Sequence, residues 1–140
     1  MKTLILLVGI LIGIGTLEAQ TQSYHAKANI FNDLVGRWEV MGDQVAGSGL
    51  VIADSSNIIL TYNGEKKKIL QFMLDFSKSP IWFDFTVQDA DSVVQVRSLL
   101  ELVDSTHLKW QLFINEERTE KFTPSKGEFL YLKKSQNSSL

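Results

Sequence analysis

From Leu34 onward the apolar and polar positions alternate with a period of two, the repeat of a β-strand rather than of a helix. Ile81, Phe83, Phe85 and Val87 fall on one face, and Trp82, Asp84 and Thr86 on the other. Leu108, Trp110, Leu112 and Ile114 alternate with Lys109, Gln111 and Phe113 in the same way. Leu70, Phe72, Leu74 and Phe76 alternate with Gln71, Met73 and Asp75. Such alternation marks antiparallel strands with one buried face and one wetter face. Further strands are expected at Val35–Met41, Gly49–Ala53, Ile58–Tyr62, Val93–Leu102, Arg118–Phe122 and Phe129–Lys133.

Turn signals separate these segments. Asn63-Gly64 is the clearest, because a tight type I′ hairpin needs positive φ at both central residues. Ala53-Asp-Ser-Ser-Asn57, Ser77-Lys-Ser-Pro80, Asp89-Ala-Asp91, Asp104-Ser-Thr106, Asn115-Glu-Glu117 and Pro124-Ser-Lys-Gly127 supply the others. No long helical pattern follows residue 33, so the expected fold is all-β. An up-and-down antiparallel β-barrel of about eight strands or a sandwich satisfies the pattern. Lys66-Lys-Lys68 reads as a solvated edge that discourages edge pairing rather than as a binding patch.

The beginning of the chain has a different pattern. Lys2 precedes an apolar run from Leu4 to Ile14, and a more polar stretch then ends at Ala19, the arrangement of a signal peptide with cleavage after Ala19. The run is shorter than the ~18 apolar residues of a comfortable bilayer span, so an uncleaved anchor is the less favoured reading. With no cysteine to carry a lipid, the expected destination is the periplasm or the exterior, without stable membrane insertion after cleavage. Residues 1–19 are thus read as signal, 20–32 as a polar leader with a helical turn near His25–Phe31, 33–134 as the barrel, and 135–140 as a disordered tail.

Composition narrows the function classes. Hydrophobic residues make up 44% and charged residues 21%, as in a folded globular domain. A net charge of −2 gives no electrostatic reason to bind nucleic acid. The absence of cysteine excludes disulfides, thiolate metal sites and cysteine nucleophiles. Cleavage would leave about 120 residues, enough to be held by a hydrophobic core alone.

Candidate chemistry is sparse. His25 and His107 stand far apart without acidic ligand spacing, so no metal site is expected. Asp104-Ser105-Thr106-His107 holds the residue types of a hydrolytic triad, but neighbours in one turn cannot converge as nucleophile, base and orienter. Asp75 and Asp84 could be paired carboxylates for acid–base work. The plainer reading has Asp75 organising a turn and Asp84 facing solvent or pairing with a basic residue. No glycine-rich phosphate loop is present, and neither an enzymatic activity nor a cofactor is expected.

Two stretches carry a family resemblance. Gly36-Arg-Trp38 at the start of the first strand resembles the opening Gly-x-Trp of lipocalin-type barrels. Asp75, Lys78-Ser-Pro80 and Asp84, then Arg118-Thr-Glu-Lys-Phe122, then the closing Leu130-Tyr-Leu-Lys133 follow in order. This succession resembles the small lipocalin-like domains of exported bacterial proteins known as the planctomycetal type, over about residues 33–134. Thr119 stands where that family usually has proline, and Lys121 is an extra residue before Phe122. The resemblance implies a lipocalin-like barrel with Gly36, Trp38, Asp75, Pro80, Asp84 and Arg118 as its structural motif. It also implies that Trp38 closes the barrel floor and that a late arginine packs on it. Arg118 is the candidate, against the alternative of an exposed Arg118 beside Glu116 and Glu117.

An eight-stranded barrel can either fill its interior with side chains or keep room for one small ligand. Trp38, Leu60, Tyr62, Phe72, Phe83, Phe85 and Trp110 are the expected interior, ligand-facing residues. Aromatics would close the lower half, and an apolar upper half would take a small hydrophobic molecule. The alternative is a filled barrel serving as a protein-interaction or cell-envelope module, whose partner the sequence does not identify.

Overall fold

The computed structural model describes residues 29–42 and 46–136. The expected signal segment and its cleavage site, the leader up to residue 28 with His25, and residues 137–140 lie outside them. A short helix, α1 (residues 29–34), precedes nine strands. These are β1 (Gly36–Val40), β2 (Gly49–Ile52), β3 (Ile58–Tyr62), β4 (Glu65–Lys67), β5 (Ile69–Asp75), β6 (Ile81–Asp89), β7 (Ser92–Asp104), β8 (His107–Ile114) and β9 (Glu128–Lys134).

All paired strands are antiparallel, in the order β4-β3-β2-β1-β9-β8-β7-β6-β5. β1 pairs with both β2 and β9, so the first and last strands lie side by side. β4 and β5 stand at opposite ends of that order yet are separated in the chain by Lys68 alone. β4 pairs with β3 and β5 with β6, and the Gln88 N–H donates to the Lys68 carbonyl at 3.0 Å across the bend. One bent segment thereby passes from one neighbour to the next and brings the sheet to near closure. The result is a nearly closed up-and-down antiparallel barrel of nine strands, with β4 over the lysine run as one that the sequence pattern did not mark.

The inward residues follow the period of two. Ile81, Phe83, Phe85 and Val87 are buried, as are Leu108, Trp110 and Leu132 on β8 and β9. α1 covers one end of the barrel. Trp38 is wholly buried there, and its Nε1–H donates to the Leu34 carbonyl at 2.8 Å. Phe31 meets Phe76 edge-on at 6.1 Å. Gly36 has φ +139°, and a Cβ there would lie 2.7 Å from the Lys134 side chain, so glycine suits both the backbone and the space at the entry to β1.

Several expectations are corrected. Arg118–Phe122 is not a strand, because the chain leaves the sheet after β8 and crosses its outer face. Leu70 does not share the inward face of Phe72 and Leu74. Ile69 pairs with Val87 and Gln71 with Thr86, so Leu70 is the extra residue of a bulge and turns outward, 41% exposed. The lysine run forms a strand, since Glu65–Lys67 is β4 against β3, and it stands at an end of the sheet order with Lys66 and Lys68 exposed, the expected solvated edge. Among the described residues the helix runs over 29–34, overlapping the expected turn at its end, while residues 25–28 of that turn lie outside them. Ser135, expected in the tail, still donates its N–H to the Arg37 carbonyl at 2.8 Å.

Candidate functional site

The barrel interior divides in two at an aromatic layer. Phe83 lies 4.9 Å from Phe85 and 5.9 Å from Trp110, and Phe85 lies 6.0 Å from Trp110, centroid to centroid. Phe72 meets Phe83 edge-on at 6.5 Å. Such contacts add to area burial and hold the rings in one arrangement. A buried serine ties the layer together: the Trp110 Nε1–H donates to Ser98 Oγ at 2.8 Å, and Ser98 Oγ–H donates to the Phe83 carbonyl. With its one hydroxyl both donating and accepting, Ser98 satisfies the indole without water.

Below this layer the interior is filled, down to Trp38 and α1. Above it lies a cavity of about 480 Å³, within the range of small-molecule sites. Trp110 and Val96 form its base, while Val40, Leu60, Phe85, Val94, Leu112 and Leu130 form its wall. Its mouth is at the strand ends where Tyr62 and Ile114 are 47% and 49% exposed.

Charged groups ring this mouth. Leu60 pairs with Lys67 and Tyr62 with Glu65 across the Asn63-Gly64 hairpin. Directly opposed residues share a face, so the inward phase of Leu60 carries Lys67 and Glu65 inward too. Asp89 continues the inward phase of β6 beyond Val87, and Glu128 opposes the inward Leu112. Lys67 Nζ lies 3.1 Å from Asp89 Oδ1 and 3.4 Å from Glu65 Oε2. Hydrogen bonding to Asp89, then to Glu65, holds the Lys67 pKa above its ordinary value. Glu128 forms no ion pair among the described residues.

Of the seven residues expected to face a ligand, Leu60, Tyr62, Phe85 and Trp110 line the cavity. Phe72 and Phe83 belong to the aromatic layer beneath, and Trp38 lies at the floor. Sequence reasoning missed the rim: Glu65, Lys67, Asp89 and Glu128.

Two of the motif residues, Asp84 and Arg118, meet elsewhere, on the outer face of the barrel. Arg118 packs neither on Trp38 nor out in solvent. Its guanidinium stacks on Trp82 at 3.7 Å and pairs with Asp84, with 10% of its side chain exposed. Trp82 points outward and the segment after β8 crosses over it, so residue 118 never reaches the floor. The cation nearest Trp38 is instead Lys134, 5.1 Å above the ring, donating to the Asp33 carbonyl at 3.0 Å. Lys78 adds a second cation to Trp82 at 4.6 Å. Asp75 Oδ1 accepts the Ser77 N–H at 2.9 Å in the turn that leads to Pro80. Asp75 and Asp84 flank different features, Asp75 a turn and Asp84 the Arg118 guanidinium.

Asp104 caps its turn in the same manner, accepting the Thr106 N–H at 2.8 Å and contacting His107 Nδ1 at 2.9 Å. The Thr106 N–H, then the His107 ring, lower the Asp104 pKa to about 2. This pair is exposed and does not line the barrel cavity. Among the described residues no group of three or more His, Cys, Asp or Glu could hold a metal ion, and no helix is long and apolar enough to cross a membrane. Comparison of the chain with family models, with curated proteins and with solved structures finds no match.

Proposed function

We propose that this protein is an exported lipocalin-like binding domain that holds one small hydrophobic molecule in the open half of its barrel. The observation that carries this reading is the half-filled interior. Aromatic rings close the lower half, whereas about 480 Å³ above Trp110 is walled by aliphatic side chains and left unfilled. A barrel serving only as a scaffold gains stability by filling such space, since unfilled apolar volume forfeits packing contacts. The deep wall of Leu60, Val94, Leu112 and Leu130 offers apolar burial, with the ionisable groups confined to the rim, an arrangement that supports binding of an apolar body. Export rests on the sequence pattern of residues 1–19.

N-phenyl-1-naphthylamine, a neutral apolar fluorophore, tests the reading in detergent-free buffer. The expected result is saturable enhancement with one site per chain, at least tenfold weaker in a Leu130→Trp variant that fills the cavity. No saturable binding, or equal binding by a folded Leu130→Trp variant, would overturn the carrier reading in favour of a protein-interaction module.

A further inference from the structure

We propose that the cavity selects hydrophobic cations, an aliphatic amine above all, over fatty acids of the same chain length. The proposal rests on the ligand-binding reading above and adds the sign of the head group. Apolar walls bury a tail without regard to its head, so selectivity must arise at the mouth. Four charged side chains line it: the carboxylates of Glu65, Asp89 and Glu128, and the ammonium of Lys67. They occupy both sides of the opening, because β9 carries Glu128 while β4 and β6 carry the other three.

Lys67 would be the natural anchor for a fatty-acid carboxylate, but its ammonium already lies 3.1 Å from Asp89 and 3.4 Å from Glu65. A second anion would have to approach it past those two carboxylates. A protonated amine meets the opposite situation. After Lys67 is matched against one carboxylate, two negative charges remain around the opening, and Glu128 has no ion-pair partner among the described residues. Its position across the barrel from Lys67 leaves it available to a cationic head seated between them. These groups are solvated at the rim, so each contributes a modest, salt-sensitive preference rather than an absolute one.

Dodecylamine, dodecanol and dodecanoate, each below its micelle concentration at neutral pH and low salt, are compared as displacers of the bound naphthylamine probe. The amine should displace it at about a tenfold lower concentration than the carboxylate, with the alcohol between them. Raising the salt should compress that order. Glu128→Gln should weaken the amine about threefold relative to the alcohol measured on the same variant, which cancels any change in the apolar site itself. Equal displacement by all three, or displacement led by dodecanoate, would overturn the cation preference while leaving the hydrophobic site intact. Failure of the probe itself to bind would overturn the reading beneath it.

Discussion

Arg118 shows how one side chain can join two distant parts of this chain. Its guanidinium spans the Trp82 face and the Asp84 carboxylate, and the pair is largely shielded from water. A planar, delocalised cation suits this double contact, which a lysine ammonium could satisfy only in part. Arg118→Met should therefore cost about 2–3 kcal/mol in denaturant unfolding, since Asp84 loses its partner within a half-buried site. Arg118→Lys should recover part of that loss. Neither variant should alter probe binding, because Arg118 lies outside the barrel wall. An unchanged unfolding midpoint for Arg118→Met would contradict the role assigned to the pair.

At the scale of elements, the segment between β8 and β9 covers a second, external layer of packing. Leu99 and Phe113 point away from the barrel interior yet are fully buried. Gln111, also fully buried, binds this crossing segment: its side chain accepts the Thr123 N–H at 3.1 Å and donates to the Thr123 and Lys126 carbonyls at 2.7 and 2.6 Å. Gln111→Leu would leave those backbone groups without their partner, at about 1–3 kcal/mol. Hydrogen exchange should report faster loss of the Thr123 amide, with the amides between β6 and β7 still protected. Equal protection of Thr123 in the variant would show that something else holds the segment. The sequence made the strands legible because Ile81–Val87 and Leu108–Ile114 alternate without interruption. It hid the crossing segment because Thr119 and Phe122 mimic a short strand, and only long-range pairing to Gln111 and Asp84 decides otherwise. It also concealed the bulge at Leu70, since an inserted residue leaves the alternation intact to the eye while reversing its phase. The rim was more accessible than it looked. A two-residue turn at Asn63-Gly64 fixes Leu60 opposite Lys67, so an inward Leu60 already implies an inward Lys67.

The whole molecule is a barrel with unequal halves, closed below by α1 and Trp38 and unfilled above Trp110. Its three tryptophans fall in three compartments: Trp38 at the floor, Trp82 beneath Arg118 on the outer face, and Trp110 at the base of the cavity. That distribution makes the indole N–H resonances a direct report on where a ligand sits. The decisive measurement is a nitrogen–proton NMR titration of the labelled protein with dodecylamine, following the three indole signals together. Binding in the upper half predicts a large shift at Trp110, whose Nε1–H is held by Ser98, with Trp38 and Trp82 nearly stationary. A shift led by Trp82, or a saturating ligand that leaves Trp110 unmoved, would contradict the account of this barrel as an open cup.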